Sequence, residues 1–152
     1  MIKRLLIFLV INFAAIGIGG LATRSGVVGE WYLGLNKAPW TPPGWVFGAA
    51  WTTIMVCFSI FMAYAWEAVA DQKTLLTFFI LQLILNIGWN PIFFVSQEVA
   101  MGLFVISALT ILLFSFFWRY KIEMGGKIYL LMPYIIWLVI ATSLNAYVLL
   151  NN

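Results

Sequence analysis

The sequence predicts an all-α membrane protein: a bundle of five transmembrane helices with a long lid loop between helices 1 and 2. Three observations carry this expectation. Of the 152 residues, 64% are hydrophobic and 9% charged, against roughly 25% charged in a soluble domain. That is too little polar surface to cover a globule in water. Apolar runs close to the ~20 residues that cross a bilayer recur five times along the chain. Lysines and arginines fall at the ends of these runs, where they read as topology signals. Five spans use up the length, so residues 1–152 are expected to form a single transmembrane domain.

The first apolar run, Leu5 to Ala22, follows Lys3 and Arg4. It is long for a signal sequence and no small-x-small cleavage site follows it, so it reads as a retained helix. Thr23 to Pro43 is the only long connection, and it holds Pro39, Pro42 and Pro43. Loops of that length are often lids or binding loops. Pro42-Pro43 cannot sit inside a helix but can stiffen a loop and start one, because the first helical turn leaves its N–H groups unpaired anyway. The second span is placed at Gly44 to Trp66, with a polar turn from Glu67 to Lys73. The third is placed at Thr74 to Val95, with Pro91 expected to bend it and free a carbonyl. The fourth runs from Ala100 to Trp118 and a basic turn from Arg119 to Lys127 follows. The fifth runs from Ile128 to Leu150, interrupted about one turn in by Pro133.

Five spans put the termini on opposite sides. Lys3, Arg4, Lys73, Arg119, Lys121 and Lys127 share one side, and Arg24 and Lys37 the other. The basic side is the cytoplasmic one, which places the N-terminus inside and the long loop outside, with the cell membrane as the expected location. The net charge of +3 belongs to this topology and not to nucleic-acid binding. The one cysteine, Cys57, lies in a span and can form no disulfide within the chain. Histidine is absent, which removes the usual zinc sites, His-ligated haem and histidine acid–base chemistry. No metal site and no phosphate-binding glycine motif is expected. No ionisable group falls mid-span, which argues against ion-coupled transport.

The remaining polar and aromatic residues need an explanation. Gln82, Asn86 and Asn90 recur at spacing four and share one helix face, flanked by Trp89 and Phe93. Amides in hydrocarbon are costly unless hydrogen-bonded, so they must face the bundle interior, either as interhelical glue or as ligand contacts. Tyr134, Trp137, Ala141 and Asn145 share a face of the fifth span, where small Ala141 leaves a gap for a helix or a ligand. Phe47 and Trp51 lie one turn apart on the second span. Trp40, Trp45, Trp66 and Trp118 fit an interfacial belt. Trp51 lies deeper, and its indole N–H needs an acceptor there, for which Asn86 is the expected partner.

Three ordered blocks now resemble one family. They are Trp31-Tyr32…Lys37-Ala38-Pro39-Trp40-Thr41-Pro42-Pro43-Gly44…Phe47…Trp51, then Gln82…Asn86…Trp89-Asn90-Pro91…Phe93-Phe94, then Pro133-Tyr134…Trp137…Ala141-Thr142…Leu144-Asn145. Over residues 31–152 the chain resembles the TspO/MBR family, the translocator or peripheral-type benzodiazepine receptor proteins, in its bacterial form. The resemblance implies a homodimeric five-helix bundle that binds protoporphyrin IX or haem, and drug-like isoquinoline carboxamides and benzodiazepines. It implies a ligand site of Tyr32, Trp40, Pro42, Phe47, Trp51, Asn86, Trp89, Asn90, Phe93, Tyr134, Trp137, Ala141 and Leu144. Some bacterial members degrade protoporphyrin IX in light and oxygen, and Trp51 and Trp137 match the tryptophans credited with that chemistry. The family often has serine where this chain has Asn90. Tyr147 is followed by no basic residue, so the weak C-terminal cholesterol motif is incomplete and specific cholesterol binding is not expected.

The expected function is a tetrapyrrole-binding membrane protein of porphyrin regulation or stress response, with porphyrin as ligand or substrate and no obligatory cofactor. Passive transport of porphyrins or other apolar small molecules is the alternative. A porphyrin is a flat ring suited to stacking on indoles, and its propionates would seek Lys37 or Arg24 at the mouth.

Overall fold

The computed structural model describes residues 1–152 as an all-helical chain. Its elements are α1 (Ile2–Gly26), α2 (Glu30–Gly34), α3 (Gly44–Ala68), α4 (Gln72–Asn90), α5 (Val99–Met124) and α6 (Met132–Asn151). Four continuous helical stretches are long and apolar enough to cross a membrane: residues 2–26, 44–68, 72–95 and 99–151. The last has 53 residues, about 80 Å if straight, far beyond the ~30 Å of a hydrocarbon core. It does not run straight. Gly125 takes φ +51°, a tight 3₁₀ segment spans Gly125–Leu131, and α6 comes back along α5. The chain is therefore an integral, multi-pass membrane protein by composition and helix length.

Local sequence explains the boundaries. Pro42-Pro43 holds the backbone extended ahead of α3, and Pro43 is its N-cap. Asp71 caps α4, its side chain accepting from the Thr74 N–H at 3.0 Å; that bond holds the Asp71 carboxyl below the usual carboxylate range. Pro91 has no N–H to give Ile87, four residues back. The helix widens there into a π turn, Pro91–Val95, closed by Ser96 N–H donating to Pro91 O at 2.9 Å. This is the disturbance expected of Pro91, in the form of an added residue in the turn.

Several boundaries differ from expectation. α5 runs on to Met124, past Trp118 and through most of the expected Arg119–Lys127 turn, and α6 begins at Met132 and not Ile128. Glu30–Gly34 is helical within the expected loop. Two more differences have a local cause. α1 continues through Gly26, well past Ala22, because Thr23 and Ser25 return their hydroxyls to carbonyls one turn back and do not break the helix. Pro133 does not interrupt a running helix but sits in the first turn of α6, where a missing N–H costs nothing.

The core is aromatic. Phe58 on α3 packs edge-on to Phe116 of α5 at 5.8 Å and to Tyr134 of α6 at 5.5 Å, and stacks near Phe79 of α4 at 5.9 Å. Such pairs add about 0.5–1.5 kcal/mol each beyond burial. α1 lies along α4, with Phe8 edge-on to Phe79 at 5.1 Å. Further along, Gly19 faces Asn90 and Gly26 faces Phe94 so closely that neither glycine has room for a methyl group. Against α3, α1 makes contact near its own start, through Phe8 on Trp66 and the buried Asn12 Nδ2 donating to Ser59 Oγ at 2.8 Å.

Candidate ligand-binding cavity

Beyond the Asn12–Ser59 contact, the helices enclose a cavity of about 770 Å³. α1 supplies Phe13, Ala15, Ile16, Gly20, Thr23 and Arg24; α3 supplies Gly44, Phe47, Gly48, Trp51 and Thr52; α4 and its π turn supply Asn86, Trp89, Asn90 and Phe94. The 27–43 connection covers one end with Val27, Tyr32, Lys37, Thr41 and Pro42. A smaller recess of about 70 Å³ adjoins it, sharing Tyr32, Phe47 and Trp89 and adding Phe93, Ala141, Leu144 and Asn145.

The polar side chains are fixed by hydrogen bonds. Trp89 Nε1 donates to Asn145 Oδ1 at 3.1 Å, and Asn145 Nδ2 donates to Val99 O at 3.1 Å. One amide therefore ties α4, α5 and α6 together and sets the plane of the Trp89 ring, which stacks on Phe93 at 5.1 Å. Asn90 accepts from Thr23 Oγ1 at 2.6 Å and donates to Asn86 O at 3.1 Å. Gln82 lies outside the cavity: its Nε2 donates to the buried Tyr134 hydroxyl at 2.8 Å. The amide row thus divides, with Gln82 as glue and Asn86 and Asn90 on the cavity wall.

The mouth is basic. Lys37 Nζ lies 4.7 Å from the Tyr32 ring centroid, and Tyr32 packs on Phe94 at 5.4 Å. Burial pushes the Tyr32 phenol up from its ordinary value. Neither Lys37 nor Arg24 is paired with a carboxylate; the three ion pairs join Met1 and Arg4 to Glu67 and Arg119 to Glu123.

The connection itself is fastened to α6. Asn36 N–H donates to Asn152 Oδ1 at 2.8 Å, and Asn152 Nδ2 donates back to Asn36 O at 3.2 Å. Trp40 Nε1 donates to Ser143 Oγ at 3.2 Å, with its ring edge-on to Tyr147 at 5.4 Å.

Of the thirteen residues singled out from sequence, Tyr32, Pro42, Phe47, Trp51, Asn86, Trp89 and Asn90 line the large cavity. Phe93, Ala141 and Leu144 line the recess. Three lie off both. Trp40 fastens the loop, Tyr134 is fully buried against Gln82, and Trp137 sits behind Phe47 with its ring edge-on at 5.1 Å. The expected Trp51–Asn86 hydrogen bond does not form. Trp51 instead packs edge-on to Tyr134 at 5.9 Å, and the indole that holds an asparagine is Trp89. Sequence reading missed the α1 wall; Thr23, one turn beyond Gly19-Gly20, was the available signal.

Known proteins are similar to this chain along nearly its whole length. The TspO/MBR family profile matches residues 7–150, so it includes the α1 wall. Tryptophan-rich protein TspO of Archaeoglobus fulgidus is 36% identical over 141 residues, covering 91% of this chain and 90% of that protein. Protein CrtK of Rhodobacter capsulatus is 32% identical over 142 residues, covering 89% and 86%. The human translocator protein is 31% identical over 131 residues, covering 81% and 75%. With nearly its whole length matched, the chain belongs to the TspO/MBR family.

Proposed function

We propose that this protein binds a tetrapyrrole, protoporphyrin IX or haem, in the α1–α3–α4 cavity as part of porphyrin regulation or stress response. The observation that carries this reading is a cavity with indole and phenyl walls and two cations at one end that have no carboxylate partner. Its volume of about 770 Å³ lies in the ~300–1,000 Å³ range of small-molecule sites. The flat ring would lie among Phe47, Trp51 and Trp89, and the propionates would meet Arg24 and Lys37. Asn86 and Asn90 offer amides to the pyrrole edge. With no histidine in the chain, metal-free porphyrin suits the site at least as well as haem. The reading includes five crossings, the 27–43 segment as a lid on the outer face, the N-terminus inside the cell membrane, and a homodimer.

A second reading is light-driven porphyrin oxidation, with the bound ring as both sensitiser and substrate and dioxygen as oxidant. It is favoured by Trp51 on the cavity wall; Trp137 would act only through Phe47.

The test is tryptophan quenching of purified protein by protoporphyrin IX. Saturable quenching is expected, and Arg24→Gln/Lys37→Gln should weaken it about tenfold or more, since a charge-assisted hydrogen bond contributes about 1.5–3 kcal/mol. Unsaturable quenching, or equal affinity in the double variant, refutes the reading. Under aerobic illumination, Trp51→Phe should change the product; identical products remove Trp51 from the chemistry.

A further inference from the structure

The cavity has an opening that the basic mouth does not account for. α1 and α3 touch near the start of α1, at Phe8–Trp66 and Asn12–Ser59. Farther along they part. Gly20 on α1 and Gly48 and Thr52 on α3 line the cavity and are exposed. Phe13, Arg24 and Gly44 are exposed as well, whereas every lining residue from α4, its π turn and the 27–43 segment is half-buried or buried, so the open edge of the cavity lies between α1 and α3. A Cβ placed on Gly20 or Gly48 would meet nothing within 4 Å, so neither position on this edge is packed against a neighbour. Both glycines belong to stretches of membrane-spanning length and hydropathy, 2–26 and 44–68. The gap therefore faces lipid. The other route, past the 27–43 segment, is held by the reciprocal Asn36–Asn152 bonds and by Trp40 on Ser143 and Tyr147.

We propose that the ligand enters and leaves sideways from the bilayer, between α1 and α3 past Gly20 and Gly48, while the 27–43 segment stays fastened. This rests on the tetrapyrrole reading above and deepens it. A planar amphiphile with acidic groups partitions into the bilayer with its ring in hydrocarbon and its carboxylates near the headgroups. From that pose the ring slides into the gap as the carboxylates reach Arg24 and Lys37, and no charge crosses hydrocarbon. Passage over the fastened segment would instead require several hydrogen bonds to open and the ring to cross water.

The test uses full-length protein in nanodiscs, with protoporphyrin IX delivered from donor vesicles and followed by tryptophan quenching. In a Cys57→Ala background, Gly20→Cys/Gly48→Cys is bridged by a flexible bifunctional thiol reagent. A second variant, Asn36→Cys/Asn152→Cys, locks the loop to α6 by a disulfide. Bridging Gly20 to Gly48 before ligand is added should block uptake. Bridging after loading should trap ligand, slowing release about tenfold or more, while the loop lock leaves both rates within about threefold of the unlocked protein. Trapping separates a closed portal from a filled site, because a filled site would expel ligand. Exchange as fast with the bridge as without it overturns the proposal, as does exchange stopped by the loop lock. Absence of saturable binding in the unbridged protein would instead defeat the tetrapyrrole reading.

Discussion

Two glycines on α1 should respond oppositely to the same substitution. A Cβ on Gly26 would lie 2.5 Å from Phe94 Cβ and 2.6 Å from its Cδ1, whereas carbon atoms rest about 3.5–4.0 Å apart. Phe94 Cβ is fixed to the backbone of the π turn, so a rotamer change cannot relieve the clash and α1 must move off that turn. Overpacking of this kind costs about 1–3 kcal/mol. Gly20→Ala meets nothing within 4 Å and should gain up to the ~0.8–1.0 kcal/mol of alanine's helix propensity. At about 2–4 °C per kcal/mol for a chain of this size, Gly20→Ala should raise Tm by a few degrees. Gly26→Ala should lower it by roughly 2–12 °C. Phe94 also lines the cavity and supports Tyr32, so Gly26→Ala should weaken porphyrin binding as well. Thermal unfolding in detergent, followed by tryptophan emission, measures both. Shifts of the same sign, or a Gly26→Ala protein as stable as the parent, would refute the close α1–α4 approach.

Asn145→Leu removes the acceptor of Trp89 Nε1 and the donor to Val99 O; at about 0.6–2 kcal/mol per interhelical bond the loss should be roughly 1–4 kcal/mol, read by thermal unfolding, with altered ligand quenching because Trp89 is freed. Tyr134→Phe strands the Gln82 amide and should cost about 1–2 kcal/mol while leaving porphyrin affinity unchanged, since Tyr134 lies off the cavity; a large affinity loss would return Tyr134 to the site. Tyr32 has its phenol pushed above 10 by burial, so the folded state holds this proton more tightly than the unfolded chain. That contribution is complete below the ordinary tyrosine value and is lost as pH rises through the folded one. Alkaline titration of phenolate absorbance should lose one late-titrating phenol in Tyr32→Phe, with the amplitude in the ordinary tyrosine range unchanged.

The sequence carried the helical class and the aromatic and amide part of the cavity wall because both rest on local signals. Hydropathy marks the apolar runs, and the fourfold spacing of Gln82, Asn86 and Asn90 fixes a common face. Which way each amide turns was not legible. Gln82 and Asn86 differ in what they face: Tyr134 meets Gln82, while Asn86 borders the cavity. The tryptophans show the same limit. Trp40, Trp51, Trp89 and Trp137 look alike in one dimension, yet one fastens a loop, two wall a cavity and one backs a phenylalanine. Their roles are set by neighbours 50 to 100 residues away in the chain.

α1 was missed for a physical reason that bears on access. A ligand wall is sought among repeated aromatics and amides, and α1 contributes a mixed set, Phe13, Ala15, Ile16, Gly20, Thr23 and Arg24. Its closely packed side, Gly19 and Gly26, has its glycines against α4, where they permit contact. Its open side has Gly20 beside the cavity, where the missing side chain leaves a gap. The same residue type thus closes one seam and opens the other. A helix held to α4 along its length and to α3 only near its start gives a cavity with one rigid lateral edge. Only the approach of α3 then decides how wide the opening is. Substitutions at Gly48 should therefore change exchange rates more than those at Gly19, whose effect is on stability.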